Sequence, residues 1–314
     1  MIITASRASA VLYHFLKSKT FDKPFLLPAN ACPVVPLSFL KAGVDFDFVD
    51  IDSTHAMSKD IVLEKLKSNK YSGMVFIHAY GKKFDNASFY KEVKENHPDF
   101  CVIDDRCLCQ PELSDEQTEN VDLTLYSTGY AKYVELLFGG YGVVHGAQYT
   151  IHNASLPYSE EAESNQQVHL KECLREGMVY DFPADYPWLN VSPLQLTDEQ
   201  YFNTIREKLP TIRAQRTHIN HIYKTHLPKE IQWGEDFNNW RFMVSVENRD
   251  KILDAIFADD LFAGANYPSV SYLFKRQHSP HAEEEALHTL NLFNNHKADE
   301  TFAIRICEIL NSFL

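Results

Sequence analysis

The sequence predicts an α/β protein of three layers, in which helices cover both faces of a mostly parallel sheet, followed by a smaller carboxyl-terminal α+β domain. Two observations in the first half of the chain favour this fold. Short apolar segments typical of strands alternate with segments of helical periodicity. The strands are apolar on both faces, as in parallel sheets that helices cover on each side. We expect a large domain over 1–195 and a small one over 196–314.

The elements of the large domain follow from periodicity and from the residues that end each segment. Gly43 ends one helix, and Gly81 stops a continuous apolar strand. The helices are predicted over 9–19, 34–42, 61–68 and 87–96. The strands are predicted over 24–28, 46–51, 73–81, 101–104, 122–126 and 141–145.

The second half of the chain is predicted to be mainly helical. After a polar connector, we expect helices over 166–176, 197–227 (broken at Pro210), 249–259, 283–292 and 300–313, and a strand over 239–246.

Composition and charge exclude several classes of protein. The 314 residues carry a net charge of −13 without a basic run, which argues against nucleic-acid binding and against a polybasic membrane surface. No apolar stretch approaches the ~18 residues of a membrane span, and the amino terminus does not resemble a signal peptide. The six cysteines lack the spacing of a secreted framework, so we expect a cytoplasmic protein with free thiols.

Polar side chains fall at the ends of several predicted strands. His78, Asp104, Asp105 and Ser127 all lie at or just after such ends. In open α/β sheets, ligands bind beyond the carboxyl ends of the strands. The sequence therefore predicts a ligand site at that edge, although His78 alone is more typical of a packed or capping histidine.

Lys132 and the Asp104-Asp105 pair predict the chemistry of this site. Lys132 follows the predicted strand 122–126 and precedes Gly139-Gly140, whereas the two aspartates end the strand before it. A pyridoxal phosphate (PLP) enzyme needs a lysine that forms a Schiff base with the cofactor aldehyde. It also needs an aspartate that keeps the pyridinium nitrogen protonated. Strand pleating points the two aspartates to opposite faces, and periodicity alone does not decide between them.

An ordered set of motifs resembles the DegT/DnrJ/EryC1/StrS sugar aminotransferases, a family of fold-type I PLP enzymes. The resemblance covers nearly the whole chain. Its segments are Leu27-Pro-Ala-Asn-Ala-Cys-Pro33, Phe48-Val-Asp-Ile-Asp52, Ile77-His-Ala-Tyr-Gly81, Ile103-Asp-Asp105, Ser127 to Lys132 with Gly139-Gly140, and Leu290-Asn-Leu-Phe-Asn294.

The resemblance assigns roles to individual residues. It makes Lys132 the Schiff-base lysine and selects Asp105 as the pyridinium partner, with Asp104 as the alternative. It implies phosphate contacts at the start of the first helix and at the end of a strand. At the helix start, Ser6 could equally be a simple helix cap, and Arg7 could face solvent. A further asparagine would reach the phosphate of a neighbouring subunit. The implied phosphate contacts are Ser6, Arg7, Ala8, Ser127 and Asn190.

The chain also departs from the family pattern. Cys32 stands where an aromatic side chain stacks on the cofactor ring, and cysteine is a poor stacking partner. Leu108 stands where the family has a histidine or glutamine, and leucine cannot donate a hydrogen bond. Only five residues precede Ser6, where the family has several tens, so we expect the arm that covers the substrate to be missing or supplied otherwise.

The function implied by the resemblance is transfer of an amino group from glutamate to a nucleotide-linked keto sugar, for surface polysaccharide or secondary-metabolite synthesis, by a homodimer. The departures at Cys32, at Leu108 and at the short amino terminus favour an alternative, a non-catalytic descendant that binds PLP or a sugar. A different PLP reaction is a third possibility. No metal site is predicted, because Cys107 and Cys109 lack zinc-ligand spacing. Glycine-rich nucleotide loops and the nucleophile elbow of hydrolases are missing from the sequence.

Overall fold

A computed structural model describes residues 1–113, 118–152, 154–181 and 183–314. Its centre is a seven-stranded sheet with the order β1-β7-β6-β5-β4-β2-β3. The strands are β1 (Ile2–Ala5), β2 (Phe25–Pro28), β3 (Phe46–Val49), β4 (Gly73–Ile77), β5 (Cys101–Asp105), β6 (Leu123–Ser127) and β7 (Gly140–Val144).

The prediction of a mostly parallel sheet is confirmed. β3, β2, β4, β5 and β6 pair in parallel, and β7 and β1 join antiparallel at one edge. The sequence did not reveal β1, because its four residues, with Thr4 among them, are too few to show a period. β1 pairs with β7, so that Ile2 lies opposite Val143.

Helices cover both faces of this sheet, which confirms the three layers. On one face, α1 and α2 pack through Phe15 and Phe39 against strand residues such as Ile103. On the other face, α3 and α4 pack through Val62 and Val93. The helices are α1 (Ala8–Leu16), α2 (Val34–Ala42), α3 (Lys59–Leu66), α4 (Ala87–Asn96), α5 (Glu160–Glu176), α6 (Asp198–His226), α7 (Arg249–Ala258), α8 (Ser271–Lys275), α9 (Pro280–His288) and α10 (Glu300–Asn311).

Two predictions in the second half of the chain are wrong. Helix α6 is continuous through Pro210, because this proline is exposed and water can satisfy the carbonyl that its ring leaves unpaired. The segment 289–292 does not continue a helix but forms β9 (Thr289–Leu292), which pairs antiparallel with β8 (Phe242–Ser245). All four residues of β9 are buried, so the segment shows no alternation that would mark it as a strand.

The two-stranded sheet has a hydrophobic cluster of its own. Helices α7, α10 and the second half of α6 cover it through residues such as Tyr223 and Ile306. The first half of α6 instead packs on the large sheet through Tyr201 and Ile205, and Leu273 of α8 joins the core of the large sheet. The division between 1–195 and 196–314 stays a prediction. None of the described helices has the length and the apolar content that crossing a bilayer requires.

Candidate active site

A cavity of about 350 Å³, which we call the strand-end cavity, opens at the carboxyl ends of β4, β5 and β6. The parallel register places Ile77 beside Asp105 and Asp105 beside Leu125, so three neighbouring strands end at its floor. Most of the site residues proposed from sequence line it: Arg7, Ala8, Cys32, Asp105, Leu108, Ser127 and Lys132. The side chains of Ser6 and Asn190 lie outside it.

Asp105 presents a buried carboxylate to this cavity. Its side chain is 5% exposed, and the Cys107 backbone N–H donates a hydrogen bond to Oδ1 at 2.8 Å. Burial raises the pKa of Asp105 above its ordinary value, although the Cys107 N–H and the charge of Lys132 act in the opposite direction. A buried carboxylate with a raised pKa is stabilised by a hydrogen bond from a positively charged group. None of the described residues places such a group within hydrogen-bond distance of Asp105.

Asp104 points to the opposite face of the sheet from Asp105, as the strand pleat requires. It accepts hydrogen bonds from His78 (2.8 Å), Tyr90 (2.5 Å) and Arg106 (2.6 Å). Burial would raise the pKa of Asp104, but His78 and Arg106 outweigh it and hold the pKa at about 2. Asp104 is therefore a fully partnered structural carboxylate, and Asp105 is the one available to a ligand.

His78 is a buried part of that structural network and does not line the strand-end cavity. The Phe84 backbone N–H donates to its Nδ1 at 2.9 Å, so Nε2 carries the proton that is donated to Asp104. This agrees with the interpretation of His78 as a packed histidine.

Lys132 lies in a loop (residues 128–139), here called the lysine loop, that joins β6 to β7. Thr128 closes the loop, because its Oγ1 donates to the Phe138 carbonyl at 2.7 Å and its backbone carbonyl accepts from the Leu136 N–H at 2.8 Å. Trp240 donates its indole N–H to the Ala131 carbonyl at 2.7 Å, which fixes the residue before the lysine. Within the described parts of the chain, the Lys132 amine makes no hydrogen bond or salt bridge, so it is available for reaction in the cavity.

The amino terminus of α1 forms another wall of the cavity. Ala8 and Ser9 line it, and the first-turn N–H groups of a helix together with its dipole attract anions. Gly140 of β7 lies directly against Ala8, because a Cβ at this position would be 2.8 Å from the Ala8 Cβ and closer still to the Ala8 N and Cα. Ser127 lies next to this wall, with its Oγ accepting from the Gly129 N–H at 3.3 Å.

Two of the residues assigned to a phosphate point elsewhere, and Arg7 is engaged in a salt bridge. The Ser6 hydroxyl donates a long hydrogen bond to the Asn190 carbonyl (3.5 Å), so it neither caps α1 nor enters the cavity. The Asn190 side chain accepts from the Ser192 N–H at 2.9 Å, and its role at a neighbouring subunit stays a prediction. Arg7 forms a two-pronged salt bridge with Glu163, at 2.5 and 3.1 Å, so its charge is largely neutralised.

The two departures from the family pattern, Cys32 and Leu108, both line the cavity. Tyr130 and Tyr267 also line it, and sequence reasoning missed both of them. Tyr267 lies 135 positions after Lys132 in a loop without periodicity, and it reaches the cavity because its ring stacks on Trp240 (centroids 5.8 Å apart, planes at 17°). Nothing in the local sequence marks it as a site residue.

The fold is that of PLP-dependent aminotransferases. DesI, solved in the presence of its TDP-sugar product, shares it with a TM-score of 0.75 and 16% identity, over 99% of this chain and 80% of DesI. PseC of Helicobacter pylori, an aminotransferase of pseudoaminic acid biosynthesis, superposes with a TM-score of 0.71 and 13% identity, over 99% and 86% of the two chains.

A DegT DnrJ EryC1 StrS aminotransferase from Brucella abortus gives a TM-score of 0.69 and 14% identity, over 99% of this chain and 85% of its own. No protein-family model and no curated protein matches the sequence. At these identities the likeness establishes the common fold, and the roles of individual residues rest on the geometry of the strand-end cavity.

Proposed function

We propose that this protein is a PLP-dependent aminotransferase. The observation that carries the proposal is the meeting of Lys132 and Asp105 in one cavity at the carboxyl ends of the parallel strands. The two residues are 27 positions apart in sequence and belong to different segments, yet their charges act on each other. The same fold in the aminotransferases DesI and PseC supports this assignment.

The residues of the strand-end cavity fit PLP. Asp105 would face the pyridinium nitrogen, since a protonated ring nitrogen is the cationic donor that its buried carboxylate lacks. The start of α1 at Ala8 and the Ser127 hydroxyl would hold the phosphate. Lys132 would bind the cofactor covalently through its free amine. When bound in this way, PLP supplies an electron sink that stabilises negative charge at the carbon attached to the substrate amine.

The residues of the chain then have distinct tasks. With the cofactor bound, the Lys132 amine would be positioned to move a proton at the substrate carbon. The Asp105 carboxylate would keep a facing ring nitrogen protonated, which would maintain the electron sink. Asp104, with His78 and Arg106 on the other face of the sheet, holds the end of β5 in place.

The substrates that we propose are a nucleotide-linked keto sugar as amino acceptor and glutamate as donor. The TDP-sugar product of DesI and the same fold in the sugar aminotransferase CalS13 support the sugar class. We place the reaction in the cytoplasm, in polysaccharide or related sugar biosynthesis, and assign PLP binding to the large domain over 1–195.

We also propose a homodimer. The lysine loop exposes two large apolar side chains at the mouth of the cavity, Tyr130 (68% exposed) and Leu137 (71% exposed), and both line the cavity wall. A second copy that packs over them would bury this surface and close the site.

A non-catalytic PLP- or sugar-binding protein is the second candidate. Cys32 and Leu108 favour it, because both line the cavity where a stacking ring and a hydrogen-bond donor are expected. A different PLP reaction on the same cofactor would use the same two central residues.

Purified protein tests the assignment directly. We expect added PLP to give the visible absorbance of a lysine-bound cofactor, and borohydride reduction followed by peptide mapping to place the label on Lys132. Lys132→Ala should lose the label, whereas the control Lys171→Ala, which changes an exposed lysine on α5, should retain it.

Glutamate then separates the candidates. Bleaching of the visible band by glutamate supports an aminotransferase, and a stable band with every amino donor supports the binding protein. Protein that takes up no PLP would contradict both the aminotransferase and the PLP-binding protein.

A further inference from the structure

The two backbone carbonyls that flank Lys132 are fixed by side chains from the later part of the chain, which begins with α6. The Ala131 carbonyl accepts from the Trp240 indole N–H at 2.7 Å. The Tyr133 carbonyl accepts from the Arg216 guanidinium at 3.0 Å. Both donor residues are buried. The backbone on each side of Lys132 is therefore held by groups that lie outside the seven-stranded sheet.

The backbone at Ala131 needs such support, because it has a left-handed conformation with φ of 56°. In an L residue with a side chain this conformation is strained, and it persists where the surrounding contacts hold it in place. Lys132 follows directly, so relaxation of Ala131 would turn the lysine backbone and point its side chain in a different direction. The orientation of Lys132 thus depends on the contacts that hold the lysine loop.

Lys297, which follows β9, contacts the lysine loop on both sides of Lys132. Its amine lies over the Tyr130 ring, 4.6 Å from the centroid, and pairs with the Glu135 carboxylate at 3.8 Å. The Glu135 side chain is only 5% exposed, and it also accepts a long hydrogen bond from Asn295 at 3.4 Å. One ammonium group thus connects two loop positions, one before and one after the reactive lysine.

Stability of the fold alone does not account for this contact. The Lys297 side chain is 28% exposed, and a partly exposed ion pair at 3.8 Å contributes little to folding. The effect of the contact is local. Tyr130 lines the strand-end cavity and is mostly exposed at its mouth, so the Lys297 amine fixes a side chain that the loop itself leaves free to move.

We infer that Lys297 is a positioning residue for Lys132. Its ammonium group holds Tyr130 and Glu135 in place, and it thereby keeps the loop in the strained form in which Lys132 lines the cavity together with Asp105. Lys297 is not one of the described residues that line this cavity, so it acts through the loop and not on a ligand. The inference rests on the proposed function, because it concerns the lysine that would bind PLP.

The test compares four variants with the parent protein. Lys297→Met removes the ammonium group and keeps a long side chain, whereas Lys297→Arg keeps a cation at this place. Glu135→Gln removes the charge at the other end of the contact. Lys275→Met is the matched control, because Lys275 also pairs with a carboxylate (Asp45, 2.6 Å) and lies over a ring (Phe46, 4.9 Å), with 30% of its side chain exposed.

Each protein is titrated with PLP and, separately, with pyridoxamine phosphate. PLP has the aldehyde that reacts with a lysine amine, whereas pyridoxamine phosphate carries an amine at that carbon and binds without a bond to Lys132. Visible absorbance gives the rate and extent of formation of lysine-bound PLP, and fluorescence gives the affinity for pyridoxamine phosphate. A residue that positions Lys132 should affect only PLP, whereas a residue that merely supports the fold should affect both ligands.

We expect Lys297→Met to form lysine-bound PLP about 5- to 10-fold more slowly and with an affinity lower by a similar factor, because the loop spends less time in the reactive form. Its affinity for pyridoxamine phosphate should change by less than about twofold, since the competent form of the loop is not needed there. Lys297→Arg and Lys275→Met should stay within about twofold of the parent protein in both titrations. Glu135→Gln should show the same selective loss by a smaller factor.

Three results would overturn the inference. Unchanged formation of lysine-bound PLP in Lys297→Met shows that the loop keeps its form without this lysine. An equal loss for PLP and pyridoxamine phosphate shows a general disturbance of the site. A loss in Lys297→Arg as large as in Lys297→Met shows that the positive charge is not the cause.

A second variant decides if Lys297→Met does not fold. In Glu135→Gln, a selective loss of at least about threefold for PLP supports the inference, whereas unchanged binding or an equal loss of both ligands refutes it. Failure of the proposed function has a different signature, since the parent protein would then form no lysine-bound PLP.

Discussion

Gly140 lies so close to the start of α1 that a methyl group at this position should destabilise the protein. In Gly140→Ala, the new methyl would lie 2.8 Å from the Ala8 Cβ and closer still to the Ala8 N and Cα, whereas ordinary contacts begin at 3.4 Å. The opposing atoms are backbone or next to it and cannot rotate away. The Ala8 N, at 2.3 Å, is the nearest of these atoms, so strand and helix must separate by about 1.1 Å to reach ordinary contact. Overpacking of this kind costs about 1–3 kcal/mol of unfolding free energy.

The same displacement moves the helix terminus that we assign to the PLP phosphate. We expect PLP affinity to fall about tenfold or more, since one hydrogen bond to a charged group contributes about 1.5–3 kcal/mol. The assays are urea unfolding of the protein without PLP and fluorescence titration with PLP. Gly129→Ala is the matched control for stability, because its methyl would meet only the Ser127 Oγ at 3.5 Å. The parent protein is the reference for PLP affinity, because Gly129 itself lines the cavity. Stability equal to that of Gly129→Ala, together with the PLP affinity of the parent protein, would refute the packing argument.

Three further predictions follow from contacts in and behind the site. The pKa of Asp104 in the folded protein is about 2, below its ordinary value of 3.8. Ionised Asp104 therefore stabilises the folded state by about 2 kcal/mol above pH 4, and this stabilisation is lost as the pH falls towards 2. The stability gap between Asp104→Asn and the parent in urea unfolding should accordingly narrow as pH falls, and a gap independent of pH would argue against an ionised Asp104. Asp105→Asn should retain PLP on Lys132 but lose at least about 100-fold in the glutamate half-reaction, measured by stopped-flow absorbance, since the amide cannot hold the ring nitrogen protonated. Trp240→Phe removes the hydrogen bond to Ala131 and should cost about 1 kcal/mol in thermal unfolding, and an unchanged melting temperature would contradict that contact.

Much of the large sheet could be predicted because its signals are local. Helix α4 was predicted over 87–96 and is observed at Ala87–Asn96, since its apolar positions recur with helical spacing on one face. The helix that ends at Gly43 was found because this glycine adopts a left-handed backbone with φ of 72°. Strand β9 was missed because full burial removes the alternation on which recognition of a strand depends.

Among the residues of the site, some are marked by the local sequence and others are placed only by tertiary packing. Asp105 and Lys132, both proposed from the sequence, line the same cavity. A strand end and a nearby glycine pair mark them locally, and the pleat of β5 separates Asp105 from Asp104. The partner of Arg7 could not be foreseen, since Glu163 lies on a distant helix that only the tertiary fold brings near. Tyr267 was not identified for the same reason, because its stacking on Trp240 places it at the cavity.

Helix α6 ties the two parts of the molecule together in a way that matters for protein engineering. Its first half is packed on the seven-stranded sheet through Tyr201 (0% exposed), and its second half covers the two-stranded sheet through Ile219 (0% exposed). Cleavage between residues 195 and 196 would separate Tyr201 from the seven-stranded sheet and expose apolar surface on both fragments. Either half expressed alone should therefore fold poorly and aggregate. A chimera that exchanges the carboxyl-terminal part should have its junction within α6 and keep the residues of α6 that pack on each of the two sheets.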